Sequence, residues 1–141
     1  MSVKMRKYNL IIHGAIKKAC DAVAQQIQLD AKRNTLSMSS KSAGSTGARQ
    51  EIADSIVLVS TGDAKSDRYS TSVFIDYGNS LSWGSLAHLF EFGFRLTTAF
   101  YARNRKTPID IPKKPFMRPA FLEARDDFHE QVRIAVARAI K

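Results

Sequence analysis

Hydrophobic positions recur at helical spacing near both ends of the chain and alternate in its middle. Between residues 9 and 33, Ile12, Ile16, Ala19, Val23 and Ile27 follow one another at steps of four, three, four and four. That spacing holds them on one face of a helix. Lys17, Lys18, Asp21, Gln25 and Lys32 fall largely off that face, Asn9 is the best N-cap, and Gly14 suits a frayed first turn. From Phe116 to Ile140 the same rule puts Met117, Phe121, Ala124, Phe128, Val132, Ala135 and Ala139 on one stripe. Pro119 falls in the first turn of that helix, where its missing N–H costs nothing. Ser55–Thr61 is rich in β-branched residues, and Tyr69–Tyr77 sets Tyr69, Thr71, Val73, Ile75 and Tyr77 against polar neighbours, so both read as strands. A short helix over Leu86–Phe92 ends at Gly93 as its C-terminal cap. Leu96–Ala102 then reads as a third strand, and Ile109–Ile111 as a short fourth stopped by Pro112.

The order predicts an α+β fold. A small antiparallel sheet of about four strands packs against a long N-terminal and a long C-terminal helix, with a short central helix. At 141 residues and 44% apolar content the chain suits one domain, 1–141. Residues 34–50 read as a flexible loop, because Ser39–Gly47 holds six serines or glycines in nine positions. A helical turn fits at Arg49–Ala53 within it. The polar connector Gly62–Arg68 reads as a projecting tip.

Charge changes the picture more than composition does. The net charge of +9 divides into +7 over residues 1–49 (nine Lys/Arg, two acids), −4 over 50–93 (two, six) and +6 over 94–141 (eleven, five). Basic ends around an acidic middle suit head-to-tail subunit contacts as well as nucleic acid. Arg103, Arg105, Lys106, Lys113, Lys114 and Arg118 bracket the third and fourth strands. They can meet DNA phosphates without reading sequence, meet an acidic protein, or keep a sheet edge soluble. One cysteine, Cys20, rules out an internal disulfide and fits a reduced, cytosolic setting. The apolar run Leu10-Ile11-Ile12 is too short for a signal peptide or a membrane span, so a soluble intracellular protein is expected.

Catalytic patterns are missing. His13, His88 and His129 lie on three different predicted helices, without metal-ligand spacing. Gly44-Ser45-Thr46-Gly47 is followed by Ala48-Arg49 instead of the lysine a phosphate loop needs. Cys20 falls on the buried face of the first helix and reads as an inert core thiol. Glu123, Asp126, Asp127 and Glu130 read as surface partners for Arg133 and its neighbours at helical spacing. No cofactor or metal is implied. Two other classes stay open on the residues alone, a small basic nuclease or RNA-cleaving toxin and a non-catalytic DNA-binding module.

One pair of motifs points further. Ala87-His88-Leu89-Phe90-Glu91-Phe92-Gly93 is followed, 22 residues after its glycine, by Pro115-Phe116-Met117-Arg118-Pro119-Ala120. Pro115 keeps Lys114 extended, and Phe116 is placed to staple the new helix to the sheet. Phe92, Phe116 and Phe121 read as core, Gly93 as a positive-φ position, and Glu91 as an acid at a helix C-terminus answered by a cation such as Arg118. The pair resembles the signature of the head–tail joining proteins of long-tailed, lambda-like bacteriophages, also called neck, tail-completion or minor tail proteins. The resemblance covers roughly residues 86–125. Upstream the chain keeps Thr46-Gly47 and Ser55-Ile56 but has Ala48-Arg49-Gln50 where a leucine is expected, and Phe94 stands where the family has a small polar residue. The resemblance implies a non-enzymatic virion protein, made in the host cytoplasm and built into the neck. Its partners would be itself in a ring, six-fold to match the tail, the neighbouring head-connector and tail proteins, and DNA in the channel without sequence preference. It makes Glu91, Phe92, Gly93, Pro115, Phe116, Arg118 and Pro119 the motif and expected assembly contacts. Arg103, Arg105, Lys106, Lys113 and Lys114 become the expected DNA or partner contacts.

Overall fold

The computed structural model describes residues 3–38, 46–62, 69–76, 86–96 and 109–140. Helix α1 is Val3–Ser37 and α2 is Thr46–Asp54, followed by strands β1, Ile56–Thr61, and β2, Ser70–Ile75. Helix α3, Ala87–Phe92, leads into β3, Phe94–Leu96; β4 is Ile109–Ile111, and α4 is Met117–Ile140. The fold is α+β, with long first and last helices and a short central one.

The four strands pair as two ladders, β1 with β2 and β3 with β4. The expected single sheet of four is therefore divided among the described residues. In the first ladder the Ser60 hydroxyl faces Thr71 at 3.3 Å and Thr61 faces Ser70 at 2.8 Å, the reversed order an antiparallel pair requires. The second is antiparallel, with Phe94 opposite Ile111, Arg95 opposite Asp110 and Leu96 opposite Ile109. β3 starts two residues before its predicted position because β4, only three residues long and stopped by Pro112, fixes the register at Phe94. Residues 97–102 of the predicted strand lie outside the described residues.

Packing divides the chain into two compact units. The first comprises Met1–Asp30, Val57–Phe74 and Ala120–Lys141. Here the stripe on α1 buries Ala19, Val23 and Ala24, and α4 buries Ala120. Ile12, Ile16 and Ile27 are half-buried, and Gly14 lies well inside the helix instead of in its first turn. Asp21 holds the hairpin to α1. Its carboxylate accepts the Thr71 hydroxyl at 2.5 Å, the Ser60 hydroxyl at 2.9 Å and Lys17 Nζ at 2.9 Å. Acid–base pairs line the exposed face of α4, where Arg133 grips Glu130 through Nε at 2.8 Å and a second nitrogen at 2.7 Å, the expected helical spacing. Arg125 meets its neighbour Asp126 at 3.1 Å.

The second unit, Ala31–Ile56 with Ile75–Pro119, holds the largest fully buried side chains, Phe116, Ile52, Ile56 and Thr35. Helix α1 runs four residues past its predicted end because the stripe continues through Ala31 and Thr35, both fully buried. A buried hydroxyl needs a partner, and Thr35 finds one in the Ala31 carbonyl of its own helix at 2.9 Å. Beyond the turn, Ala48, Ile52 and Ala53 are buried, which makes Thr46–Asp54 a full helix where a single turn was expected. Arg49 reaches the Leu36 carbonyl at 3.2 Å and the Met38 carbonyl at 2.5 Å. A guanidinium there satisfies carbonyls that the end of α1 leaves without helical partners.

Candidate functional site

The two halves of the motif pair meet within the second unit. The Glu91 carboxylate accepts the Phe116 N–H at 2.7 Å and the Met117 N–H at 3.0 Å on one oxygen, and the Arg118 N–H at 3.0 Å on the other. These amides open α4, and the first N–H groups of any helix have no partner inside it. An acid at the last turn of α3 opposes that helix's dipole, yet the same charge lies at the favourable end of α4. The expected pairing of Glu91 with Arg118 thus takes a different form, through the backbone amide. One side chain ends a helix and begins the next.

The joint has two further ties. Lys114 N–H donates to the Phe90 carbonyl at 2.6 Å, holding the extended segment before α4 against the end of α3. Gly93 has φ of 75°, the region sequence reading assigned to it. A Cβ built on it would lie 2.8 Å from Lys113 N and 2.9 Å from the Ile111 carbonyl oxygen. Both are backbone atoms, that of Ile111 within the ladder, so only glycine fits where the chain passes the end of β4 so closely. Phe116, fully buried, fills the unit's core directly beneath the amides that Glu91 holds.

The other motif residues face outward. Phe92 is 78% exposed, contrary to the expected core position, and Phe121 is 54% exposed although it falls on the apolar stripe of α4. Phe121 lies on a helical period, which selects a face without saying what covers it. Pro115, Arg118 and Pro119 are exposed, as is Lys113, while Lys114 is half-buried. Arg95 is exposed and pairs with Asp110 at 3.4 Å across β3 and β4. Arg103, Arg105 and Lys106 lie outside the described residues, as do 39–45 of the expected loop and 63–68 of the expected tip.

The first unit contains a feature the sequence reading missed. A cavity of about 330 Å³ lies between α1, the hairpin and α4, walled by Val23, Ile27, Tyr69, Phe121, Phe128 and His129 among others. Cys20 lines it too, half-buried and hydrogen-bonded to Tyr69; burial above all pushes its thiol above the usual range. Burial likewise raises the Tyr69 hydroxyl, helped by Cys20 beside it. A thiol held protonated is a poor nucleophile, which agrees with an inert role, although Cys20 is not fully in the core. The available signal was the shared strand face of Tyr69 and Thr71, two residues apart, with Cys20 and Asp21 adjacent on α1.

His13 stands on α1, His88 on α3 and His129 on α4. Among the described residues no group of three His, Cys, Asp or Glu side chains is placed to hold a metal ion. No helix among them is long and apolar enough to cross a membrane. Comparison of the chain with protein-family models, with curated proteins and with solved structures finds no match.

Proposed function

We propose that this chain is a structural virion protein of a long-tailed phage or prophage that completes the junction between head and tail. The supporting observation is the joint itself. The Glu-Phe-Gly segment and the Pro-Phe-Met-Arg-Pro segment, which carry the likeness to head–tail joining proteins, are tied by three hydrogen bonds that the Glu91 carboxylate accepts. A motif pair that forms one mechanical unit is a more specific likeness than two stretches that never meet. The joint uses Glu91, Gly93 and Phe116 to hold the start of α4, and it leaves Phe92, Pro115, Arg118, Pro119 and Lys113 on the surface around it. Those outward residues are the ones available to neighbouring subunits.

In this reading the protein does no chemistry and holds no cofactor. It is made in the host cytoplasm, takes its place at the neck in many copies, and contacts itself and the adjoining head-connector and tail proteins. The cations Lys113 and Lys114 meet either DNA in the channel or an acidic neighbour, and the same contact is proposed for Arg103, Arg105 and Lys106. The test is electron microscopy of lysates from the parent phage or prophage with this gene disrupted. DNA-filled heads lying beside free tails, rejoined when purified protein is added, are the expected result. Intact infectious particles would remove the neck assignment.

A further inference from the structure

We infer that the groove between the N-terminal part of α1 and the last turns of α4 receives an acidic amphipathic helix of a partner protein. The groove lies wholly within the first unit and encloses about 540 Å³. Leu10, Ile11 and Lys18 line it from α1, and Ala135, Arg138 and Ala139 line it from α4. From Leu10 to Lys18 the trough follows α1 for about 12 Å, a little over two helical turns. Half-buried Gly14 and Ala135 lie deepest, while Leu10 and Ile11 are exposed, as is Ile140 at the end of α4. Large aliphatic side chains are therefore left open along a recess.

Charge decides what kind of partner fits there. Lys18 and Arg138 both line the groove and both are exposed, and among the described residues neither meets an acid. Their neighbours differ: Asp21 takes up Lys17 at 2.9 Å, and Glu130 takes up Arg133 at 2.7 Å. Residues 1–20 carry five Lys/Arg and residues 131–141 carry three, with no Asp or Glu in either stretch. The groove thus sits in a field of one sign, and its occupant must bring carboxylates and apolar side chains together. Duplex DNA offers phosphates but nothing apolar to cover Leu10 and Ile11. An anionic bilayer offers both, yet it receives an apolar face that stands proud, and here the aliphatic residues border a trough. A helix with an apolar stripe and acids beside it satisfies the recess, its length and its charge at once. This assignment goes beyond the neck reading and rests on the groove alone.

The test uses the full chain and a fluorescein-labelled, stapled helix of about 14 residues, with leucines at i, i+4 and i+7 and glutamates beside them. Fluorescence anisotropy should show the parent protein binding this peptide at least about tenfold tighter than a counterpart with lysine for each glutamate. The double variant Lys18→Glu/Arg138→Glu should reverse that preference. Both positions are exposed and lack acidic partners, and circular dichroism checks that the variant folds. On the parent, hydrogen exchange should slow over residues 10–18 and 135–139 when the glutamate peptide is present. A parent that binds both peptides alike, a preference that survives the double variant, or protection elsewhere would each overturn the inference. So would tighter binding of duplex DNA or phosphatidylglycerol vesicles than of the glutamate peptide. Failure of the peptide leaves the neck assignment standing, and intact particles from the disrupted lysate leave the groove's affinity standing.

Discussion

Three hydrogen bonds converge on one carboxylate at Glu91, and their value comes from what each amide would otherwise lack. The N–H groups of Phe116, Met117 and Arg118 stand at the start of α4, and Phe116 itself is fully buried, so water is a poor substitute partner there. Glu91→Ala removes every acceptor oxygen and should cost about 2 kcal/mol, at the upper end for loss of a helix cap. Glu91→Gln keeps one oxygen but loses the charge that suits a helix N-terminus, and should cost roughly half as much. Urea unfolding of the two variants beside the parent measures both costs. Equal stability of Glu91→Ala and the parent would show that the cap does not hold the joint. Phe92, one residue away, shows the contrast between neighbours in a motif. Glu91 is spent on the fold, while Phe92 takes no part in the cap and remains exposed.

Among the elements, the hairpin of β1 and β2 is tied to α1 through Asp21. Asp21 collects the Thr71 and Ser60 hydroxyls and Lys17, and these bonds, that of Thr71 foremost, hold its carboxyl below the usual range. A carboxyl with a lowered native value adds stability above its ordinary, unfolded value and loses that stability as the pH falls through the native one. The parent should therefore exceed Asp21→Asn in urea resistance at neutral pH, and the gap should close in acid. A gap of constant size at all pH values would mean that packing, and not the charge, fixes the hairpin to α1. The same element level shows what was legible in the sequence. The two long helices were readable because their apolar stripes repeat over many turns. The ends of α1 and the extent of α2 were not, since Thr35 and Ala48 are buried through small size and a local hydrogen bond, which no hydrophobic period records. β-branched residues marked β1 and alternation marked the faces of β2, but partner choice depends on distant strands, so one sheet was expected where two ladders form. The joint was visible only as two motifs. Its physical cause lay hidden because Glu91 bonds to backbone amides, and those leave no mark on residue identity.

For the molecule as a whole, the Ser/Gly-rich stretch 39–45 is where the proposed joining role can be tested apart from folding. Its flanks are fixed: Met38 is buried, its carbonyl accepts Arg49, and Ala48 is buried on α2. A deletion reaching Met38 or the start of α2 would damage the second unit and confuse two effects. Replacing residues 39–45 alone with an equal run of alternating Gly and Ser keeps those ties. With those flanking ties kept, stability in urea should stay within about 0.5 kcal/mol of the parent. If, on the proposed neck assignment, the natural stretch docks against a neighbouring neck protein, the altered protein should fold yet fail to rejoin heads and tails in the lysate assay. Full restoration of infectious particles would instead show that any polar spacer serves, leaving the work of assembly to the outward face of the joint. Phe92, Arg118 and Lys113 would then be the residues on which specificity between neighbours turns, and charge reversal at Arg118 and Lys113 would be the next substitutions to assay.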